Sequence, residues 1–370
     1  MNAVGAVESQ RQFLATAIAT PAERRIAVLI AAAGLLAFIA AVPFVRVPLA
    51  RMPAFIPSYE AALFFIDLIT AVVLYEQAVR LRSCAVLVLA SGYLFDAFVI
   101  IPHALSFPGA FAPGGLLGAG PQTTAWLYVF WHGGFPLFVM AYAILRRREA
   151  VGGTLARNGT MAILASVAGV AAAVVVLTLV ATVGHDALLV VMEGSNYSLL
   201  VSKGVSPAVW ALTFIAILML WQRPQRVIDL WLMLVMWIWL FDIALSAVIG
   251  SSRYDLGFYA GRIFGLIAAS FLLITLLVEM ARLHAGVVGA ADSAEKRLLE
   301  LLRSQARPDS KLGGKGTDAF VQKQNIAHYH TLLEAGSLDD AQRAAIRKLL
   351  AEEEAKLNGM RSEAGAQWPS

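Results

Sequence analysis

The sequence predicts an all-α, polytopic membrane helix bundle of about eight transmembrane helices, followed by a cytoplasmic helix and a small helical hairpin tail. Three observations carry this expectation. Of 370 residues, 59% are hydrophobic and only 15% charged, with mean hydropathy +0.70, which is less charge than soluble domains carry. Apolar runs of membrane-crossing length recur as far as residue 280. Lys and Arg alternate between rich and poor loops.

The expected spans are 26–42, 59–78, 84–103, 124–145, 160–183, 206–221, 227–249 and 256–280. Each approaches the length that crosses about 30 Å of hydrocarbon at about 1.5 Å per residue. The sixth is short, and an earlier start near Leu199 would lengthen it. Residues 1–25 lack the short apolar core and cleavage site of a signal peptide, so they read as a cytoplasmic segment before a retained first span. Eleven basic residues fall on one side (Arg11, Arg24, Arg25, Arg80, Arg82, Arg146, Arg147, Arg148, Arg157, Arg223, Arg226). Five fall on the other (Arg46, Arg51, Lys203, Arg253, Arg262). The excess places both termini of a multi-pass membrane protein in the cytoplasm, which requires an even span count. Nothing suggests nucleic-acid binding, and the single Cys84 excludes an internal disulfide framework.

The loop 104–123 has no charge and is rich in Pro and Gly. Irregular backbone of this kind cannot face lipid, so it is expected to fold as a cap on the outer side of the bundle. Beyond residue 280 the composition changes. Residues 281–306 read as a linker helix, either in a dimeric coiled coil or lying on the bundle, and 307–317 as a flexible Gly-rich linker. Residues 318–357 read as a helical hairpin with Thr317 as first N-cap and Ser337 with Asp340 as a capping box, and 358–370 as disordered. Forty residues bury too little apolar surface to be robust alone, so the tail is expected to pair in a homodimer or on a cytoplasmic signalling protein.

Ionisable residues inside spans are costly and default to a functional reading. Counting inward places Asp67, Asp96, His132, Asp242 and Arg262 at one depth in the outer third, with His103 at the mouth and Tyr259 one turn outside Arg262. A guanidinium at that depth needs a partner, and Asp242 is the expected one. Pro136 frees the carbonyl of His132, and Gly133 and Gly134 remove bulk beside it, which predicts a kink and a small cavity. His132 then reads as internal glue to Asp67 or Asp96, as a ligand contact or pH-responsive group, or as a metal or haem ligand with His103. No cofactor is predicted, because dedicated ligand spacing is absent. No phosphate loop, zincin motif, nucleophile elbow, cyclase or kinase signature is found, so the chain reads as a non-enzyme.

Three stretches, FIPSYEAALFFIDLITAVVLYEQAVRLRS, LASGYLFDAFVIIPHALSFPGAFAPGGLLGAGPQTTAWLYVFWHGGFPLFVMAYAI and SSRYDLGFYAGRIFGLIAASFLLITLLVE, resemble the fourth type of bacterial membrane-associated sensor domain. The likeness covers about 22–279 and falls on residues including Asp67, Tyr93, His103, Gln122, Trp126, Trp131, His132, Arg253, Tyr259 and Arg262. It implies a sensor, and adds Tyr93, Gln122, Trp126 and Trp131 to the candidate ligand site. Such domains usually precede GGDEF cyclase or histidine kinase domains, and neither follows here. The tail segment QNIAHYHTLLEAGSLDDAQRAAIRKLLAEEEAKL resembles a short helical segment of small alphaproteobacterial proteins. The expected function is therefore a membrane sensor or signalling adaptor that passes its signal to a separate protein through residues 318–357. A transporter or channel, or a haem or metal redox protein, is the alternative.

Overall fold

In the computed structural model the described residues are 17–149, 159–221, 226–305, 315–334 and 340–365, and they are helical with connecting turns. Arg157, Arg223, Ser337 and most of the expected 307–317 linker lie outside them. The chain divides into two units, one of residues 11–280 and one containing 281–370.

The membrane unit holds α1 (Pro21–Ala41), α2 (Phe55–Leu81), α3 (Cys84–Ser106), α4 (Thr123–Glu149), α5 (Gly159–Thr182), α6 (Ser198–Ser202), α7 (Val205–Leu220), α8 (Val227–Ile243) and the start of α9 (Leu256–Gln305). Seven of these helices, α8 counted with the π-helical turn that extends it, are long and apolar enough to cross a membrane. The sixth expected span is the exception. As α7 it has 16 residues, about 24 Å at the helical rise. Gly204, at φ 75°, breaks it from the one-turn α6, so the helix does not continue back to Leu199.

Burial sorts the helices. In α3 and α8, 72% and 78% of the span is buried, against 6% and 11% in α1 and α5. The first pair forms the centre, and the second turns side chains such as Leu29, Leu36, Val175 and Leu179 outward, as a lipid-facing helix must. Local chemistry sets several ends. Thr20 and Glu23 form a capping box at α1, which starts five residues earlier than expected. Ser83 caps α3 by accepting from the Val86 N–H, while the Glu149 carboxylate accepts from Ser83 and from the Ala85 N–H.

α8 ends in a π-helical turn, Ala244–Ile249, before Gly250 stops it. Such turns insert an extra residue and swing neighbouring side chains around the axis. Four connections interlock at this end of the bundle. Backbone bonds tie Leu49 to Tyr254, Val47 to Leu256, Val45 to Gly257 and Ser251 to Tyr197. The 104–123 loop packs here through Phe107, which is buried against Ile56 and Phe258, while Phe111, Leu116 and Leu117 stay exposed.

α4 runs as one helix through Pro136. On the Gly134 side of the helix the expected space is filled: a Cβ there would lie 2.8 Å from Phe95 Cζ. Gly134 serves close helix packing instead, while a Cβ on Gly133 would meet only Val209, at 3.7 Å.

The second unit contains the distal part of α9, α10 (Lys315–Glu334) and α11 (Asp340–Gly365). Tyr329, Ile346 and Leu349 form its core, with Leu299 and Leu350 against them. Thr317 lies inside α10 rather than capping it. The helix of α11 continues past 357 to Gly365, because Met360, Arg361, Glu363 and Ala364 favour helix enough to carry Asn358 and Gly359.

Candidate functional site

His132 is the centre of the best-connected polar group in the bundle. It is 2% exposed, and its ring stacks on Tyr128 at 3.8 Å between centroids and lies against Trp131 and Trp239. Nδ1 donates to the Tyr128 carbonyl at 3.0 Å, and Nε2 lies 3.2 Å from Asp242 Oδ2. With Nδ1–H committed, the Nε2–carboxylate contact must hold one further proton, on the ring or on the acid. Ser246 gives its single hydroxyl hydrogen to the Asp242 carbonyl (2.7 Å) and Oδ1 (3.2 Å). Tyr128 is therefore the donor in its 2.8 Å bond to Ser246.

Asp242 is also pressed against α9. Cβ atoms built on Gly261 and Gly265 would sit 2.8 Å from Oδ1 and 2.9 Å from Oδ2. These two glycines, four apart, form the face of α9 that meets the acid. That geometry overturns the expected Asp242–Arg262 pair. Arg262 follows Gly261 by one residue, so it points about 100° away around the helix. Its Nη1 donates to the Phe258 carbonyl at 2.9 Å, and its guanidinium lies 3.7 Å from the Phe258 ring centroid. Asp242 is held by His132 and Ser246 instead.

The other expected residues separate into groups. Asp67, Asp96 and Tyr93 are buried together, close enough to feel one another's charge, and among the described residues Asp96 Oδ1 and the Tyr93 hydroxyl have no hydrogen-bond partner. His132 bonds to neither aspartate. His103 pairs with Glu60, Nδ1 to Oε1 at 2.7 Å, both buried. Trp131 lies against both imidazoles, with ring centroids 5.7 Å from His103 and 4.7 Å from His132, and each imidazole contacts its own carboxylate. Gln122 is a clasp: its Oε1 accepts from Val191 and Met192 N–H, and its Nε2 donates to the Met192 carbonyl. Trp126 donates to the Leu189 carbonyl and Tyr259 to the Ala50 carbonyl, pinning two more connections. None of the five intramembrane ionisable groups faces lipid; the most exposed, Arg262, reaches 8%.

Beside this group lies a cavity of about 40 Å³, lined by His103, Tyr128, Tyr197, Ser246, Arg253 and Arg262 among others. Tyr128 and Ser246 thus belong both to the cavity wall and to the bonds that reach Asp242.

A sequence model described as a membrane-associated sensor, integral membrane domain (MASE4) matches residues 50–284. The chain belongs to the MASE4 family. No curated protein and no solved structure matches it. The MASE4 match takes in α2 to α8 and the membrane part of α9, hence every residue of the polar group and the cavity. It begins after α1 and ends before α10, so the tail is additional to the MASE4 domain.

Sequence reasoning missed several working parts of the domain. Glu60 sits near the end of α2, where an acid reads as interfacial. Tyr128 is four residues before His132, a spacing that could have marked it. Asp229 was passed over entirely. It is fully buried at the opposite end of α8, ion-paired to Arg146 and accepting from the Tyr142 hydroxyl and the Arg226 N–H. Gln77 there donates to Glu279 at 3.1 Å. Buried polar groups thus occur at both ends of the bundle.

Proposed function

We propose that this membrane sensor detects a small ligand at the His132–Asp242 group and relays the event through α9 to a separate cytoplasmic protein. The observation that supports the reading is the placement of Asp242. It shares a proton with His132, sits one turn before Ser246 in the π-helical turn, and rests on the bare backbone of α9 at Gly261 and Gly265. α9 then runs unbroken to Gln305. A change in charge or hydrogen bonding at Asp242 therefore acts on the helix that leaves the domain. In this proposal both termini are cytoplasmic, the cavity end faces outward, and the α10–α11 hairpin receives the partner. The protein acts as an adaptor without catalysis of its own.

The test uses spin labels at Leu137 and Ile267, both outward-facing, in a Cys84→Ser background. Asp242→Asn should shift the label-to-label distance distribution in membranes. Superimposable distributions for the two proteins would remove the relay.

A further inference from the structure

Each acid near the cavity has at least one hydrogen-bond partner, and among the described residues its two arginines have no carboxylate. Glu60 is held by His103, and Asp242 by His132 and Ser246. Asp255 accepts from the N–H groups of Ser251, Ser252 and Phe258. Among the described residues, no carboxylate pairs with Arg253 or Arg262. Arg262 spends one N–H on the Phe258 carbonyl, and Arg253 lies 4.7 Å over the Phe107 ring. Burial, with the Arg262 charge added, pulls Arg253 down to about 10, which still leaves it cationic at neutral pH. Two cationic side chains therefore border one small cavity with no counter-charge among the described residues, a costly arrangement for buried charge. Tyr197 points the same way. Its side chain lines the cavity, is buried, and among the described residues its hydroxyl has no hydrogen-bond partner. The Tyr128 hydroxyl is already given to Ser246, so Tyr197 is the free neutral donor.

We propose that this cavity is an anion site for a small carboxylate, gripped by the Arg262 and Arg253 guanidiniums with the Tyr197 hydroxyl as third donor. Guanidinium forks match the two oxygens of a carboxylate. Size limits the class. A water needs roughly 10–15 Å³ in such a cavity, so about 40 Å³ admits three to four heavy atoms, the size of formate or acetate, and crowds a phosphate. The proposal rests on the sensor reading only for its consequence: an anion drawn to the arginines lies against Tyr128 and Ser246, and so one bond from Asp242.

Thermal unfolding of the full chain in nanodiscs, followed by tryptophan fluorescence, tests it. Sodium acetate, sodium formate and inorganic phosphate are titrated at ionic strength held constant with sodium chloride. Acetate or formate should raise the midpoint saturably, and phosphate should do so less. Arg262→Gln should weaken the half-saturating concentration at least tenfold, and Tyr197→Phe several-fold. Lys203→Gln, an exposed site away from the cavity, should change nothing. Should Arg262→Gln fail to fold, Tyr197→Phe decides, since it removes one oxygen only. No saturable effect beyond chloride, or equal half-saturation in wild type and Tyr197→Phe, overturns the site; a stronger response to phosphate overturns the assigned class. The spin-label pair separates the two readings. Acetate that binds without moving the labels keeps the anion site and removes the relay.

Discussion

At Asp242 the difference between two partners is one residue of helical rotation. The acid meets the glycine face of α9, and Arg262 is turned off that face, so the imidazole of His132 takes its place. Sequence made the burial of both groups legible, because charges inside apolar runs must turn inward. It did not make the pairing legible, because that depends on the rotation of each helix about its axis, which no single-sequence pattern fixes. A double-mutant cycle tests the pair: Asp242→Ala and His132→Ala together should cost less than the sum of the two, by about 0.5–3 kcal/mol. Additive costs would dissolve it. Gly261→Ala places a methyl 2.8 Å from both Asp242 Oδ1 and Ser246 Cβ, and should lower stability by about 1–3 kcal/mol. The control is Gly169→Ala in α5, where an added Cβ meets nothing within 4 Å. That variant should unfold at or above the wild-type midpoint; if Gly261→Ala does the same, the close approach is not real.

Helices and their connections show where hydropathy reasoning succeeds and where it stops. Runs such as 84–103 and 227–249 were readable because twenty apolar residues have few other uses. The short α7 was not, since Gly204 sets its start through backbone geometry rather than polarity. Arg146 gives a second example. In sequence it is one of three adjacent arginines, all read as topological charge. In the fold Arg147 and Arg148 are exposed, while Arg146 turns in to Asp229 and joins α4 to the start of α8. Arg146→Ala leaves a buried acid without its cation and should cost about 3–5 kcal/mol. Arg147→Ala should stay within about 0.5 kcal/mol. Equal midpoints for the two variants in denaturant titration would contradict the assignment.

For the molecule as a whole, the division near residue 280 predicts separable behaviour. A chain ending at Gln305 should insert, keep the unfolding midpoint of the membrane unit, and fail to bind the proposed cytoplasmic partner. Loss of insertion would show that the membrane unit needs the tail. Topology is checked with impermeant thiol reagents in a Cys84→Ser background. Lys203→Cys and Arg80→Cys should label from opposite sides, and labelling from one side would reverse the proposed arrangement. Composition alone made the two-part organisation visible, because the shift from apolar to charged sequence is abrupt. The anion cavity was beyond its reach. Its wall comes from α3, α4, α6, α9, the π-helical turn and three connections, and only their assembly reveals that no acid among the described residues pairs with Arg253 or Arg262.

The contact of Asp242 with Gly261 and Gly265 also constrains how such a chain can change over generations. A lineage that first gave up the acid would open room for a larger residue at 261 or 265. One that enlarged the glycine first would push the carboxylate off His132 before any replacement existed. Substitutions at these positions should therefore accumulate in one order, with the acid lost before the glycines.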